Sequence, residues 1–594
     1  MTSRWKILTS GLKRISLRRG SAISAAALAL LTLFSAYSKA VNQFNFFIYP
    51  DSYYYLLVAR NLLLNHHPTG TLGTGGMPFP PPSYAAMKTT FPVVAACVMA
   101  LGIGAETAGH LVSAVAAVLA VPLAYVAVLR LVRSRPAALT AALLVATSYG
   151  LTYWAGFIMS DSLSVALGFA VIIAFARERV DELTNPGDIL VGVIIALWLL
   201  SRSTYVVAIP FLLWLGFSRF GWTWRRTATA AASCLTVTAA VAAAWFPPAS
   251  FGSRLVLNLL PVLGAAAVVT ALTFCVMHGR KRTSGTTGGG RRMALLTYYT
   301  IAAAIPAAFL LEWAIARVTG TGPFLALERF GLRDAAILIA IVPGAMALSR
   351  TRDRDVGLAL LSAALLMLGV YYWVEPRDSR YLVHLLPFLV PVAASSVALL
   401  RPASRRAGAR DSHTRHRWPL QGATIACFVA IAVAIGAQAV TGLSHASASF
   451  LATDYPREVA AGLRPIATNR ETLVCALPWP LYFRLGVPTW GADAVLQPEF
   501  VRYVPPDTPL LVVCDASMHY HYPKIEAAVT AAKSKEVLAF DVPSQYLYGY
   551  SAIDYRRPIR VYRMTAGELR SRALDLSPAP PSSEEGVDPP FPVR

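Results

Sequence analysis

The sequence predicts an all-α polytopic membrane protein with a small α/β domain at its C-terminal end. Three observations carry this. Of 594 residues, 56% are hydrophobic and only 14% charged, against about 25% charged in a soluble domain. Several apolar runs reach the ~20 residues needed to cross a hydrocarbon core. The basic residues, which give a net charge of +22, fall between those runs and form no single aromatic-laced patch. That distribution speaks for membrane anchoring and against nucleic acid.

The elements follow in order. Residues 1–20 are a basic tail (Arg4, Lys6, Lys13, Arg14, Arg18, Arg19) that mimics a signal peptide, but the apolar run from Ser21 to Val41 is too long for an h-region and reads as a retained first span. Further spans are predicted at 107–131, 137–153, 160–177, 188–200, 204–218, 228–247, 255–277, 295–317, 334–349, 356–374, 380–400 and 419–440, about thirteen in all by the length rule. Those at 188–200 and 204–218 are short enough to be tilted or broken. The clusters Arg130–Arg135, Arg177–Arg179, Arg219–Arg226, Arg280–Arg292, Arg350–Arg354 and Arg401–Arg417 all fall on the side of the basic N-terminus. An odd number of spans follows, with the N-terminus cytoplasmic and the C-terminal domain extracytoplasmic.

Two regions outside the membrane are large. Within the transmembrane body, residues 21–440, the first outer loop spans 42–106. It holds an interfacial helix at Ser52–Leu64, a Gly/Pro stretch at Pro68–Pro82 and a short apolar helix at Phe91–Leu101. The second region, 441–576, reads as the α/β domain. TLVCAL (472–477), LLVVCD (510–515), VLAFDV (537–542) and IRVYRM (559–564) are strand-like, and Ile525–Lys533 is helical. Residues 577–594, rich in Pro, Ser and Glu, read as disordered. Six cysteines without a CxxC pair argue against a zinc site. Cys97, Cys234, Cys275 and Cys427 read as small core residues, and a disulfide between Cys475 and Cys514 stays open.

The residues able to carry chemistry cluster on the outer side. Asp51 follows the first span in Tyr49-Pro50-Asp51-Ser52-Tyr53-Tyr54-Tyr55. Ringed by tyrosines, its carboxylate can take a proton from a hydroxyl nucleophile, and it reads equally as the N-cap of the interfacial helix. Asp161, at the outer end of the fourth span, is another cap candidate or a second carboxylate that orients an acceptor or holds a cation. Lys88, the lone lysine of the first outer loop, is a point charge for a phosphate or a snorkelling anchor. Arg202 breaks the charge rule between two spans, where an arginine needs a partner. Arg377 and Arg380, in Glu375-Pro376-Arg377-Asp378-Ser379-Arg380-Tyr381, offer forks for phosphate oxygens; local pairing with Glu375 and Asp378 explains Arg377 better than Arg380. His66 and His67 are adjacent and cannot easily ligate one ion, so no metal site is predicted.

These pieces resemble, in content and order, the GT-C-fold glycosyltransferases that use polyprenyl-phosphate sugars, and within them the bacterial relatives of the protein mannosyltransferases and the lipid A aminoarabinose transferase. The resemblance covers roughly residues 21–400. It rests on an acidic residue opening the interfacial helix (Asp51-Ser52-Tyr53-Tyr54-Tyr55), a Lys/Pro segment before an apolar helix (Lys88-Thr89-Thr90-Phe91-Pro92), Ser160-Asp161 at the fourth span, and Arg380-Tyr381 with Pro387 at a late span. Departures are Asp51-Ser52 for the usual Asp-Glu, Asp161 for the usual Glu, and Lys-Thr-Thr-Phe-Pro for Lys-Pro-Pro.

The resemblance implies inverting transfer of a sugar from a polyprenyl-phosphate donor to an acceptor hydroxyl of a glycan, lipid or protein, at the outer face of the cytoplasmic membrane. It makes Asp51 the general base. Lys88, Arg202 and Arg380 would meet the phosphate, with Tyr381, Asp161, Tyr54 and Tyr55 lining the substrate. No cofactor is expected, and a divalent cation stays open. The rivals are a secondary transporter, which would place charges near the midplane, a ligase moving a whole glycan from a lipid diphosphate, and a scaffold or receptor.

Overall fold

The computed structural model describes residues 21–39, 50–66, 89–177, 185–245, 298–300, 302–307, 334–349, 353–373, 380–400, 417–449, 455–468, 471–476, 478–531, 535–542 and 557–576. The helical body comprises α1 (Ser21–Lys39), α2 (Pro50–Asn65), α3 (Thr90–Met99), α4 (Ala105–Val132), α5 (Arg135–Thr147), α6 (Tyr149–Ala155), α7 (Asp161–Phe175), α8 (Asn185–Ser201), α9 (Ile209–Arg219), α10 (Trp224–Trp245), α11 (Ala335–Ser349), α12 (Arg354–Trp373), α13 (Arg380–Val383), α14 (Leu386–Ala394) and α15 (Arg417–Ser449). Short 3-10 turns at Ser203–Ala208 and Ser395–Leu400 extend α9 and α14. Among the described residues three helices are long and apolar enough to cross a membrane, or four when the bent pair α5–α6 is taken as one. The predicted spans at 255–277 and most of 295–317 lie outside the described residues, as does the stretch Pro68–Pro82.

Contacts sort the helix ends into two groups. At the basic end, Arg130 donates to the Ile173 carbonyl at 3.1 Å and Arg219 to the Leu131 carbonyl at 3.1 Å. Arg219 also pairs with Asp353, and Arg226 with Asp188 at 3.0 Å. The opposite end gathers Lys39, Glu106, Asp161, Arg202, Asp334 and His384. Small residues let the helices between close up. A Cβ on Gly344 of α11 would stand 1.9 Å from the Val392 carbonyl oxygen of α14, and one on Gly192 of α8 2.2 Å from that of Ala230. Such approach of backbones is how helices gain contact where lipid supplies no hydrophobic drive.

One predicted span is corrected. Residues 137–153 are not a continuous helix but two, meeting at 49°. Ser148 breaks them, and its hydroxyl accepts from Leu151 N at 3.2 Å as the cap of α6. The other exposed amides of that turn, Tyr149 and Gly150, donate to the two oxygens of Asp334 at 3.0 and 2.9 Å. A break of this kind survives inside a membrane body because every freed N–H is met.

After α15 the chain forms α16 (Tyr455–Leu463), β1 (Thr472–Cys475), α17 (Pro478–Leu485), β2 (Thr489–Gly491), α18 (Pro498–Tyr503), β3 (Pro509–Cys514), α19 (Ala516–His521), α20 (Pro523–Ala531), β4 (Lys535–Phe540), β5 (Ile559–Thr565) and α21 (Ala566–Asp575). The strands make one sheet in the order β2-β1-β3-β5-β4. β1 pairs in parallel with β2 and β3, while β5 is antiparallel to β3 and β4. The four strands expected from apolar runs are present; the short edge strand β2 has no such run. Side chains alternate between faces with period two: Leu510, Val512 and Cys514 enter one core, Leu511 and Val513 the other. The same alternation settles the cysteines. Cys475 belongs to the second core and Cys514 to the first, so the two thiols sit on opposite faces of neighbouring strands and are not bridged to each other. Cys97, expected in the core, is exposed on α3.

Candidate functional site

The sequence-predicted residues fall on three elements that meet at the non-basic end. α2 begins at Pro50, so Asp51 lies in the first helical turn and not at the cap, a correction to the boundary at Ser52. An acidic residue there is favoured by the helix dipole. The tyrosines that follow are buried and bind α2 to its neighbours. Tyr54 packs on Trp479 of α17 with ring centroids 5.8 Å apart, and Tyr55 packs on Phe91 of α3 at 5.4 Å. Tyr53 accepts a hydrogen bond from Arg484 of α17 at 3.1 Å, and Arg484 also pairs with Glu106 at the start of α4 at 2.7 Å. His66, in the left-handed region at φ 54°, ends the helix. α3 is tied to the C-terminal half of α8 by Thr90, two residues beyond Lys88 in sequence, whose hydroxyl donates to the Leu197 carbonyl at 2.8 Å.

Asp161 opens α7 after Ser160. One oxygen of its carboxylate receives Arg202 Nη2 at 3.0 Å and lies 2.9 Å from His384 Nε2. Arg202 Nε also points at His384 Nε2, at 2.9 Å, and His384 Nδ1 meets the Tyr205 hydroxyl at 2.9 Å. All four side chains are buried. The pairing that an arginine at the hydrocarbon edge requires is thus supplied by Asp161. Nε2 serves two neighbours with opposite needs: a proton there satisfies Asp161, and a lone pair there satisfies Arg202. The ring therefore couples the carboxylate to the phenol, since either tautomer sets the donor role of Tyr205. Thr204 and Tyr371, hydrogen-bonded at 3.2 Å, flank this cluster.

Of the remaining candidates, Lys88 and Arg377 lie outside the described residues. Arg380 and Tyr381 sit on the one-turn helix α13, directly ahead of His384, and their side chains, like that of Asp51, lie outside the described set.

His384, Tyr205, Lys39 and Asp334 were missed by sequence reasoning. His384 carried a faint signal, one helical repeat after Arg380. Lys39 ends the first span and donates to the Thr152 hydroxyl at 2.8 Å; Asp334 opens a later one and also receives Gln438 Nε2 at 3.1 Å. Each was an ionisable residue at the edge of an apolar run, a position that marks a partner or a function. Among the described residues no three His, Cys, Asp or Glu side chains converge as metal ligands.

No protein-family model matches the sequence, and comparison with curated proteins gives no match. Comparison with solved structures does. The oligosaccharyltransferase of Archaeoglobus fulgidus in its apo form is 15% identical, with a TM-score of 0.54 over 92% of this chain and 77% of that one. The same organism's AglB with an inhibitory peptide and a dolichol-phosphate is 14% identical, with a TM-score of 0.52 over 93% and 77%. ArnT from Cupriavidus metallidurans bound to undecaprenyl phosphate is 14% identical, with a TM-score of 0.47 over 90% and 97%. The chain is a multi-pass membrane protein with the fold of the GT-C glycosyltransferases.

Proposed function

We propose that the protein is a membrane glycosyltransferase that moves a sugar from a polyprenyl-phosphate donor to an acceptor hydroxyl, at the outer face of the cytoplasmic membrane and with inversion. The observation that supports this most is the GT-C architecture shared with an oligosaccharyltransferase over nine-tenths of the chain, together with an acidic residue in the first turn of α2, at the non-basic end. Fold likeness sets the reaction class as an analogy; the residues supply the chemistry.

In this reading Asp51 takes the acceptor proton as the oxygen attacks the anomeric carbon in line. A single displacement needs one base, and the two-carboxylate scheme of glycoside hydrolysis does not apply. The departing phosphate needs charge, not a proton, and Lys88 and Arg380 supply it. Arg202 acts through Asp161: their buried pair fixes the start of α7 against the end of α8. Tyr381 walls the substrate, while the buried Tyr54 and Tyr55 hold α2 in place through Trp479 and Phe91. The basic helix ends face the cytoplasm, and the sheet region lies outside.

The test is transfer by purified protein in detergent, with a panel of polyprenyl-phosphate sugars and, because the fold is shared with an oligosaccharyltransferase, polyprenyl-diphosphate glycans. Asp51→Asn is expected to keep donor binding and lose transfer. Full activity in that variant removes Asp51 as base, and silence of wild-type protein toward every donor overturns the transferase reading.

A further inference from the structure

Asp161 and Arg202 already answer each other's charge, meeting at 3.0 Å with both side chains buried. That pair does not call for a histidine, yet His384, wholly buried, is set against both of its members. What the imidazole adds is a link to a third stretch of chain. His384 lies 223 positions from Asp161, 182 from Arg202 and 179 from Tyr205. Its Nε2 stands 2.9 Å from an Asp161 oxygen and 2.9 Å from Arg202 Nε, and its Nδ1 2.9 Å from the Tyr205 hydroxyl. Tyr205 meets another edge of the ring, with centroids 5.6 Å apart, and Tyr371 of α12 lies at 6.3 Å. One ring thereby joins the start of α7, the residue after α8, the 3-10 turn that leads into α9, and α12.

α13, immediately ahead of His384, needs such a link. It is a single turn, Arg380–Val383, and one turn fixes too many dihedrals for the few hydrogen bonds it gains to stand alone. Leu382, Val383 and Leu385 are buried, but apolar burial has no direction and leaves a short helix able to roll or slide. Hydrogen bonds do have direction, and those of His384 reach partners from both ring nitrogens. Only His384 and Leu385 separate α13 from α14. Arg380 lies four residues ahead of His384, about 6 Å at the helical rise, so a rotation fixed at residue 384 is fixed at residue 380 as well.

We propose that His384 is a positioning residue: through Asp161 and Tyr205 it locks α13 in rotation and depth, and so sets where Arg380 and Tyr381 are presented to the donor phosphate. The anchor is read from geometry alone; its bearing on the phosphate rests on the transferase reading. A charge that meets a phosphate as it departs acts mainly in the transition state, and a misplacement of about 1 Å costs up to about a hundredfold in rate.

The experiment compares wild type, His384→Leu, His384→Gln, Arg380→Ala and the double variant Arg380→Ala/His384→Leu, each full length in detergent. Two readouts are taken: transfer kinetics, and hydrogen–deuterium exchange followed by mass spectrometry. His384→Leu is expected to speed exchange in the peptides over 380–386 while the sheet region exchanges as in wild type. Its kcat is expected to fall about tenfold or more, with the donor KM within about threefold of wild type. In the Arg380→Ala background the same change is expected to cost less than about threefold, because the group it positions is already gone. His384→Gln places an amide N–H where Nε2 stood and gives up the Tyr205 contact, so it is expected to fall between wild type and His384→Leu in both readouts. Should the leucine variant fail to fold, the glutamine variant decides: wild-type exchange and wild-type kcat in it overturn the proposal. Unchanged exchange over 380–386 in a folded His384→Leu overturns the anchor. Faster exchange there with undiminished kcat overturns the positioning role, and so does a full further loss in the Arg380→Ala background, which marks a merely structural residue. If wild type transfers from no donor, the transferase reading falls and the positioning role with it, while the exchange result still upholds or overturns the anchor.

Discussion

Truncating Arg202 to Ala removes the partner of a carboxylate with 2% of its side chain exposed. At 3.0 Å and an effective dielectric constant of about 20, the direct attraction is about 5.5 kcal/mol. Desolvation of both ions offsets much of that in the intact protein, so the pair itself contributes little net stability. The loss on breaking it is larger than the gain from having it: Asp161 keeps its contact with His384 Nε2 but is left buried without its guanidinium, at a cost of up to about 3–5 kcal/mol. Asp161→Leu takes the carboxylate from a buried guanidinium that keeps its contact with His384 Nε2, and costs a similar amount. The double variant Arg202→Met/Asp161→Leu strands neither, and its stability is expected to lie above both single variants, within about 2 kcal/mol of wild type. Thermal unfolding in detergent, followed by tryptophan fluorescence, ranks the four proteins. A double variant whose loss equals the sum of the singles would show that the two groups are not coupled, and would sink the account of the cluster.

Four further outcomes follow from packing and burial. Asp334→Ala leaves the Tyr149 and Gly150 amides unpaired and is expected to cost about 1–3 kcal/mol for each group so exposed to an apolar surround; a melting temperature equal to wild type would refute the capping role. Gly344→Ala drives a methyl into the Val392 carbonyl and is expected to cost about 1–3 kcal/mol by overpacking, whereas Gly436→Ala, with nothing within 4 Å, is neutral or slightly stabilising on the same melt. Burial, with Glu526 and Asp515 adding to it, pushes the Cys514 thiol well above its usual range. The folded chain then holds a proton that the unfolded chain releases above about pH 8.5, so stability is expected to fall as pH rises past that value, and Cys514→Ala to flatten the fall. Copper-phenanthroline oxidation of native protein should form no Cys475–Cys514 bridge on a non-reducing gel.

The membrane body was legible because its signal is compositional: apolar length and the placement of arginines mark helices and their ends without any knowledge of neighbours. The strands with apolar runs were legible for the same reason. What the chain order hid is pairing between distant residues. Asp161 and His384 stand 223 positions apart, and neither shows from its own surroundings that one nitrogen and one oxygen will meet. The kink at Ser148 was likewise invisible locally, because serine and tyrosine are acceptable in a helix, and the break is held by a carboxylate from residue 334 beside the Ser148 cap. Cys97 was misplaced because hydrophobic residues on a membrane helix face lipid as readily as core, so apolar character stops predicting burial there.

The Arg484 bridge to Tyr53 and Glu106 joins segments separated by more than 370 positions. Through it the sheet region serves as a roof on α2, with Trp479 and Phe483 laid over the tyrosine ladder. Trimming the chain behind α15 would therefore uncover the helix that bears Asp51 and admit water to rings now dry. An appendage held in this way has its sequence tied to α2, and the two can be exchanged between proteins only together.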